Sequence, residues 1–256
     1  MCESHHSYAD RVTETLPLTG ERTAPGIWHE NYWFARHEAA YRWIVDSAGP
    51  DGRVLDAGCG EGYGAELLRV SGAQQVFGLD YEGTTLRHAA KAYPQLNLVQ
   101  GNLVQTGFAD GTFDLVASLQ TIEHLWEQPR FVAECARILA PQGTLVLTTP
   151  NRLTFPPGNW YHTKELTADE LVELVEAELE VTQVLGLHHG PRLREWEALH
   201  GDCVERQLEV EHAKWAEDLV TLVTGTRQED FELRSDGLDG CLDLVVVAQK
   251  PDNHAE

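Results

Sequence analysis

Four glycines at alternating positions, Gly58, Gly60, Gly62 and Gly64, follow the apolar pair Val54-Leu55 and an acidic residue, Asp56. An apolar strand that runs into glycines and then into helical spacing over Tyr63 to Val70 makes a strand-to-helix turn, where backbone can approach a ligand closely. The chemistry is the binding of a nucleotide-type cofactor. Gly60-x-Gly62-x-x-Ala65 fits the dinucleotide pattern, and Asp80, twenty residues beyond Gly60, can accept hydrogen bonds from both ribose hydroxyls. Further along, Gln120-x-x-Glu123-His124 and the distant His162 offer a carboxylate and two imidazoles, which can take a proton from an alcohol or hold a cation.

These residues need a scaffold that brings them to one edge. Apolar runs predict strands at 53–55, 75–80, 96–99, 113–118, 144–148, 181–187 and 242–249, with helices at 36–47, 63–70, 84–93, 129–140 and 168–179 between them. Pro129 suits a first helical turn, and Thr167 suits a helix cap. The alternation predicts an α/β fold: a Rossmann-like, doubly wound, seven-stranded sheet, parallel with one antiparallel strand. Residues 188–235, rich in His, Arg and Trp, read as a helical insertion before the last strand. Residues 1–20 read as a flexible tail and 21–256 as one domain, a length whose 42% apolar content can bury a sizeable core.

A net charge of −22, with no lysine-rich block to offset it, repels phosphate backbones and anionic lipid, so neither nucleic acid nor membrane is an expected partner. The five cysteines are scattered without C-x-x-C or zinc-finger spacing, and reduced thiols are expected. Met1 to Gly20 has neither the basic start nor the apolar core of a signal peptide, so a cytoplasmic location is expected. Nothing in the chain specifies an oligomeric state.

Asp56 ahead of Gly58, Asp80, the run Gly101-Asn102-Leu103 and the run Phe108 to Val116 together resemble, over residues 27–187, the ordered motifs of class I S-adenosylmethionine (SAM) methyltransferases. The resemblance implies SAM rather than NAD. It assigns Asp56 to orienting the turn and the amino-acid end of the cofactor, with Gly58, Gly60 and Gly62 forming the loop and Gly58 meeting the methionine part. Asp80, with Tyr81 beside it, would hold the ribose, Asn102 and Leu103 the adenine, and Leu119 the floor. Many relatives carry Asp where Asn102 stands, which changes the donor and acceptor pattern offered to the adenine. Arg36 occupies the pre-strand helix in which quinone-type O-methyltransferases use an arginine for the SAM carboxylate.

Gln120-x-x-Glu123-His124 with His162 looks like the metal site of small-RNA 2′-O-methyltransferases, and its first part resembles that of ubiquinone-pathway O-methyltransferases. The implied metal ligands are Glu123, His124 and His162. Gln120, in place of the first Glu, is a weaker ligand for magnesium, while two imidazoles and a carboxylate also suit a transition metal. Leu18 to Thr23, Glu30 to His37, Gln120 to Trp126 and His189-Gly190-Pro191-Arg192-Leu193 resemble actinobacterial SAM methyltransferases linked to polymethylated polysaccharide synthesis. That implies O-methylation of a sugar hydroxyl, with His124 or His162 as catalytic base and the 188–235 insertion, through residues such as His188, His189, Trp196 and His200, capping a saccharide acceptor. The alternatives are a phenolic or quinone-like acceptor, an RNA ribose, which the charge disfavours, and a SAM-binding protein without catalysis.

Overall fold

A computed structural model describes residues 23–49 and 51–252 of the chain. The expected tail at 1–20 and motif residues 18–22 lie outside the described residues. Eight strands form a single sheet in the order β3-β2-β1-β4-β5-β8-β6-β7. The first five are β1 (Arg53–Ala57), β2 (Gln75–Asp80), β3 (Asn97–Gln100), β4 (Phe113–Leu119) and β5 (Leu139–Pro150). All of these pair in parallel, and the order reverses between β1 and β4. At such a switch point the loops leaving the two adjacent strands diverge and open a crevice beyond their carboxyl ends.

The other half of the sheet is mixed. Strand β8 (Asp243–Gln249) runs antiparallel to both β5 and β6 (Glu180–His189), and β7 (Phe231–Arg234) adds antiparallel to β6 at the edge. The expected sheet had seven strands; the eighth, β7, lies inside the segment read as a helical insertion. Its four residues, half of them charged, carry too little alternation to register as a strand. The remainder of the insertion is helical, as α6 (Pro191–His200), α7 (Cys203–Glu209) and α8 (Glu217–Gly225).

Helices α2 (Tyr63–Val70), α3 (Gly83–Ala92), α4 (Gln128–Ile138) and α5 (Ala168–Glu176) make the crossovers. Thr167 caps α5 in a reciprocal box with Glu170, as its position ahead of an apolar run requires. Before the sheet comes α1 (Asn31–Trp43), which starts five residues earlier than the apolar spacing predicted and ends in a π-helical turn at Ile44–Ala48. Among the described residues, no helix is long and apolar enough to cross a membrane.

Helix α1 is held from three sides. Ala40, Tyr41 and Ile44 join the sheet core, while Tyr32, Ala35 and Ala39 join a separate apolar cluster with Leu193, Cys203, Leu219, Leu222 and Phe231 from the insertion. The insertion therefore buttresses α1 from outside. Between these contacts the Arg36 guanidinium reaches Asp243 at the start of β8, with Nε to Oδ2 at 2.6 Å and Nη2 also donating to the Leu242 carbonyl. Both side chains are buried, so neither charge has water to fall back on. Removing one partner of such a pair strands the other charge and costs about 3–5 kcal/mol, whereas replacing both by apolar groups can be near neutral. Arg36→Met should therefore lower stability in urea titration by about that amount, and Arg36→Met combined with Asp243→Leu should recover most of it. Equal losses in the single and double variants would show that the pair is not the clamp.

Candidate active site

Two adjoining cavities open at the carboxyl edge of the sheet. The first, about 610 Å³, is bounded by the loop after β1, the end of β2, the turn after β3 and the residues leaving β4. Of the residues assigned to the cofactor from sequence, Gly58, Gly60, Asp80, Tyr81, Asn102, Leu103 and Leu119 line it. Asp56, Gly62 and Arg36 do not. Gly62 lies behind the wall, where a Cβ would press on Ala89, Leu96 and Tyr93.

Asp56 is fully buried beneath the loop, accepting the Tyr41 hydroxyl at 3.0 Å on Oδ1, with no hydrogen-bond partner for Oδ2 among the described residues. It supports the turn from inside. Burial, with the charge of Asp80 nearby and despite the Tyr41 hydrogen bond, pushes its carboxyl up to about 7. Asp80 works at the surface of the loop: Oδ2 accepts the Gly60 N–H and Oδ1 the Glu82 N–H, both at 2.9 Å. A carboxylate so held still has lone pairs for ribose hydroxyls.

The glycines act by shape. The N–H groups of Gly58 and Cys59 go to the Leu79 carbonyl, that of Gly62 to the Cys59 carbonyl and that of Gly60 to Asp80, so these four donors are used within the protein. Gly58 has φ +88°, and a Cβ there would stand 2.3 Å from Thr121 Oγ1. Only bare backbone lets the loop close against the residues leaving β4.

Arg36 was expected at the cofactor carboxylate. Its guanidinium is instead committed to Asp243, and it lines the second cavity. That cavity, about 490 Å³, is walled by Trp33, Phe155, Trp160 and Tyr161, by three prolines, and by Glu30, Glu123, His124, Asn159 and His162. Thr23, His37, Gln120, His124 and Tyr161 line both cavities and form the partition between them.

His124 sits on that partition. The segment that carries it is a single 3-10 turn, Ile122–His124, entered through Gln120 at φ +50°. Positive φ is costly for a residue with a side chain and recurs where a site fixes the backbone. His124 Nδ1 lies 3.0 Å from the Tyr161 carbonyl, an acceptor only, so Nδ1 carries the hydrogen and Nε2 keeps the lone pair. Glu123 Oε1 is 3.9 Å from that Nε2. Glu123 itself is buried against Thr149, and burial pushes its carboxyl up to about 8.

His162 lines the second cavity only. Its Nδ1 meets Glu165 Oε1 at 2.7 Å and its Nε2 meets Asn159 Nδ2 at 3.0 Å, so both nitrogens are engaged within their own loop. Glu123, His124 and His162 can each direct one donor atom to a shared centre, the three atoms lying within 4.8 Å of one another. A cation there would have to displace Asn159 and take Glu123 as a carboxylate.

Sequence reasoning gave His37 no role. Trp33, His37 and Tyr41 recur at i, i+4 and i+8 on α1, and this stripe runs from the second cavity across the partition to the first. The spacing was visible, but the aromatic residues read equally well as core. Conversely, the residues expected to grip an acceptor from the insertion line neither cavity. His189 is enclosed between Tyr32 and Glu197, Arg192 pairs with Asp230, and a Cβ on Gly190 would meet the Asp230 backbone at 2.7 Å. From the insertion, among the described residues, Leu208 alone reaches the second cavity.

Comparisons with known proteins give the family. Residues 55–147 match the family described as a methyltransferase domain. A probable SAM-dependent methyltransferase of Mycolicibacterium smegmatis is 46% identical over 253 residues, covering 94% of this chain and 97% of that protein. One of Mycobacterium tuberculosis is 43% identical over 249 residues, covering 92% and 90%. A ubiquinone biosynthesis O-methyltransferase of Vibrio cholerae is 29% identical over 161 residues, covering 54% of this chain and 65% of that one. The fold matches a possible histamine N-methyltransferase of Thermotoga maritima (TM-score 0.59, 15% identical, 88% and 91% covered). It also matches a putative methyltransferase of Bacillus halodurans (TM-score 0.55, 16% identical, 82% and 98% covered).

The chain belongs to the SAM-dependent methyltransferases of class I. It is a methyltransferase enzyme, and its cofactor is S-adenosylmethionine.

The raised Asp56 carboxyl sets a pH dependence. Unfolded, the group loses its proton near its ordinary value of 3.8; folded, near 7. Between those values the folded protein holds one more proton, so this stabilisation is complete below about pH 4 and is lost as pH rises through 7. Relative to wild type, Asp56→Asn should therefore gain stability from pH 4 to 7 and level off above, as read by urea midpoints. Parallel curves would place the Asp56 pKa near its ordinary value.

Proposed function

We propose that this enzyme transfers a methyl group from SAM to a hydroxyl of a saccharide or polysaccharide precursor, with the acceptor in the aromatic cavity and His124 as the base. The observation that carries the reading is the shared partition: among the described residues, Gln120, His124, His37, Tyr161 and Thr23 line both cavities, so a donor in the first and an acceptor in the second would meet beside them. The cofactor supplies a methyl group on a positively charged sulfur, open to attack from the side opposite its leaving sulfur. The protein's part is to align the acceptor oxygen and take its proton. His124 suits that task, since the Tyr161 carbonyl fixes its hydrogen on Nδ1 and leaves the basic electron pair on Nε2. Glu123 lies 3.9 Å away, but burial keeps its carboxyl protonated at neutral pH, so the imidazolium draws no counter-charge from it.

The lining of the second cavity favours a polyhydroxylated acceptor. Trp33, Phe155, Trp160 and Tyr161 offer flat apolar faces, while Glu30, Asn159 and His162 offer groups that hydrogen-bond hydroxyls. The similarity to mycobacterial methyltransferases over more than nine-tenths of the chain supports methyl transfer from SAM, and the saccharide acceptor is our reading of the cavity lining and of the motif resemblance. Within the insertion, α7 is the part we assign to closing over the acceptor, through Leu208. We propose a cytoplasmic enzyme that binds neither nucleic acid nor membrane, in keeping with a net charge of −22.

A phenolic or quinone-like acceptor is the second reading, favoured by the same aromatic walls and by the partial similarity to a ubiquinone biosynthesis O-methyltransferase. A divalent cation on Glu123, His124 and His162 would assist deprotonation in either case. Incubation with labelled SAM and a panel of oligosaccharides, phenols and RNA, with and without chelator, tests all of these. Methylation of oligosaccharides is expected, and transfer only to phenols or only to RNA would overturn the saccharide reading. A chelator-insensitive rate would remove the metal. His124→Ala should lower turnover by about 10²–10⁴-fold with SAM affinity little changed, and unchanged turnover would remove His124 from the mechanism.

A further inference from the structure

The amino-acid end of SAM carries a carboxylate, and the first cavity contains no arginine or lysine to receive it among the described residues. Its carboxylates are Glu61, Asp80 and Glu82, and its imidazoles are His37 and His124. Arg36, the residue in the expected position, is held by Asp243. The loop N–H groups of Gly58, Cys59, Gly60 and Gly62 are spent on the protein. Among the side chains at this end of the cavity, the Tyr41 hydroxyl is given to Asp56 and the Thr121 hydroxyl to the Leu119 carbonyl.

His37 remains. Its Nδ1 lies 2.8 Å from the Tyr63 hydroxyl, and Tyr63 begins the helix that follows the glycine loop. If the Tyr63 hydroxyl accepts from Thr23 Oγ1, 3.5 Å away, and donates to Nδ1, the ring hydrogen resides on Nε2, which makes no other hydrogen bond among the described residues. We infer that His37, oriented by Tyr63, binds the carboxylate of the cofactor through its Nε2 hydrogen, in the role that sequence assigned to Arg36.

The charge of His37 fits this role. Burial, together with the neighbouring Arg36 and His124, outweighs Asp243 and pushes the imidazole down to about 4, so at neutral pH it is an uncharged donor. An uncharged donor binds a carboxylate without setting a fixed positive charge near the cationic sulfur of the same ligand. Arg36 and His37 thereby divide the work, one clamping the helix and the other facing the ligand.

The inference rests on the cofactor lying in the first cavity and is independent of the acceptor. Calorimetric titrations with S-adenosylhomocysteine, which has the carboxylate, and 5′-methylthioadenosine, which lacks the whole amino-acid end, test it. His37→Ala should weaken S-adenosylhomocysteine binding by about 10- to 100-fold, the worth of a hydrogen bond to a charged group, and leave 5′-methylthioadenosine binding unchanged. His37→Asn, which keeps an N–H donor, should recover part of the loss and serves as the working variant if the alanine protein does not fold. If His37→Ala weakens both ligands alike, or neither, the assignment of the carboxylate to His37 is overturned. Failure of both ligands to bind wild type would overturn the placement of the cofactor instead.

Discussion

The buried ion pair between Arg36 and Asp243 fixes where everything else can stand. It joins α1, which precedes the sheet in sequence, to the first residue of β8, the strand hydrogen-bonded between β5 and β6. With α1 pinned there, its stripe of Trp33, His37 and Tyr41 becomes a wall shared by both cavities. A helix held only by apolar contacts could slide or rotate by one residue at modest cost, whereas a two-pronged guanidinium contact to a carboxylate admits one register. The insertion completes the arrangement by burying Tyr32 and Ala35, which lie on another side of the same helix.

Electrostatics then divide the site. The first cavity is lined by carboxylates that suit a ligand with a cationic sulfur, an amine and ribose hydroxyls, and the net charge of −22 extends that bias over the molecule. Beneath both cavities the environment changes the carboxylates themselves: Asp56 is pushed up to about 7 and Glu123 to about 8 because burial disfavours the charged form of each. Buried acids of this kind support a loop without adding full negative charge to it.

The lining of the first cavity was largely legible in the chain. Glycines, the acids at strand ends and the turn after the third strand are local features, set by backbone geometry that leaves a mark in sequence, and Gly58, Asp80, Asn102 and Leu103 line the cavity together. The partners of Arg36 and His37 were not legible. Asp243 lies 207 residues from Arg36, and no local pattern announces which distant carboxylate will meet a guanidinium. The His189-Gly190-Pro191-Arg192-Leu193 motif misled for a related reason, since its histidine, glycine and arginine are residue types of active sites. Here they close a corner of the fold, with Arg192 on Asp230 and Gly190 against the Asp230 backbone. The eighth strand escaped notice because pairing with β6, rather than its own composition, makes it a strand.

The central claim is that donor and acceptor occupy separate cavities that meet at His124. A crystal structure of the enzyme with S-adenosylhomocysteine tests it most directly. The account predicts adenine beside Asn102 and Leu103, ribose on Asp80, and the sulfur at the partition, facing the aromatic cavity past Gln120 and His124. Adenine seated among Trp33, Trp160 and Tyr161, or a sulfur turned away from His124, would contradict it.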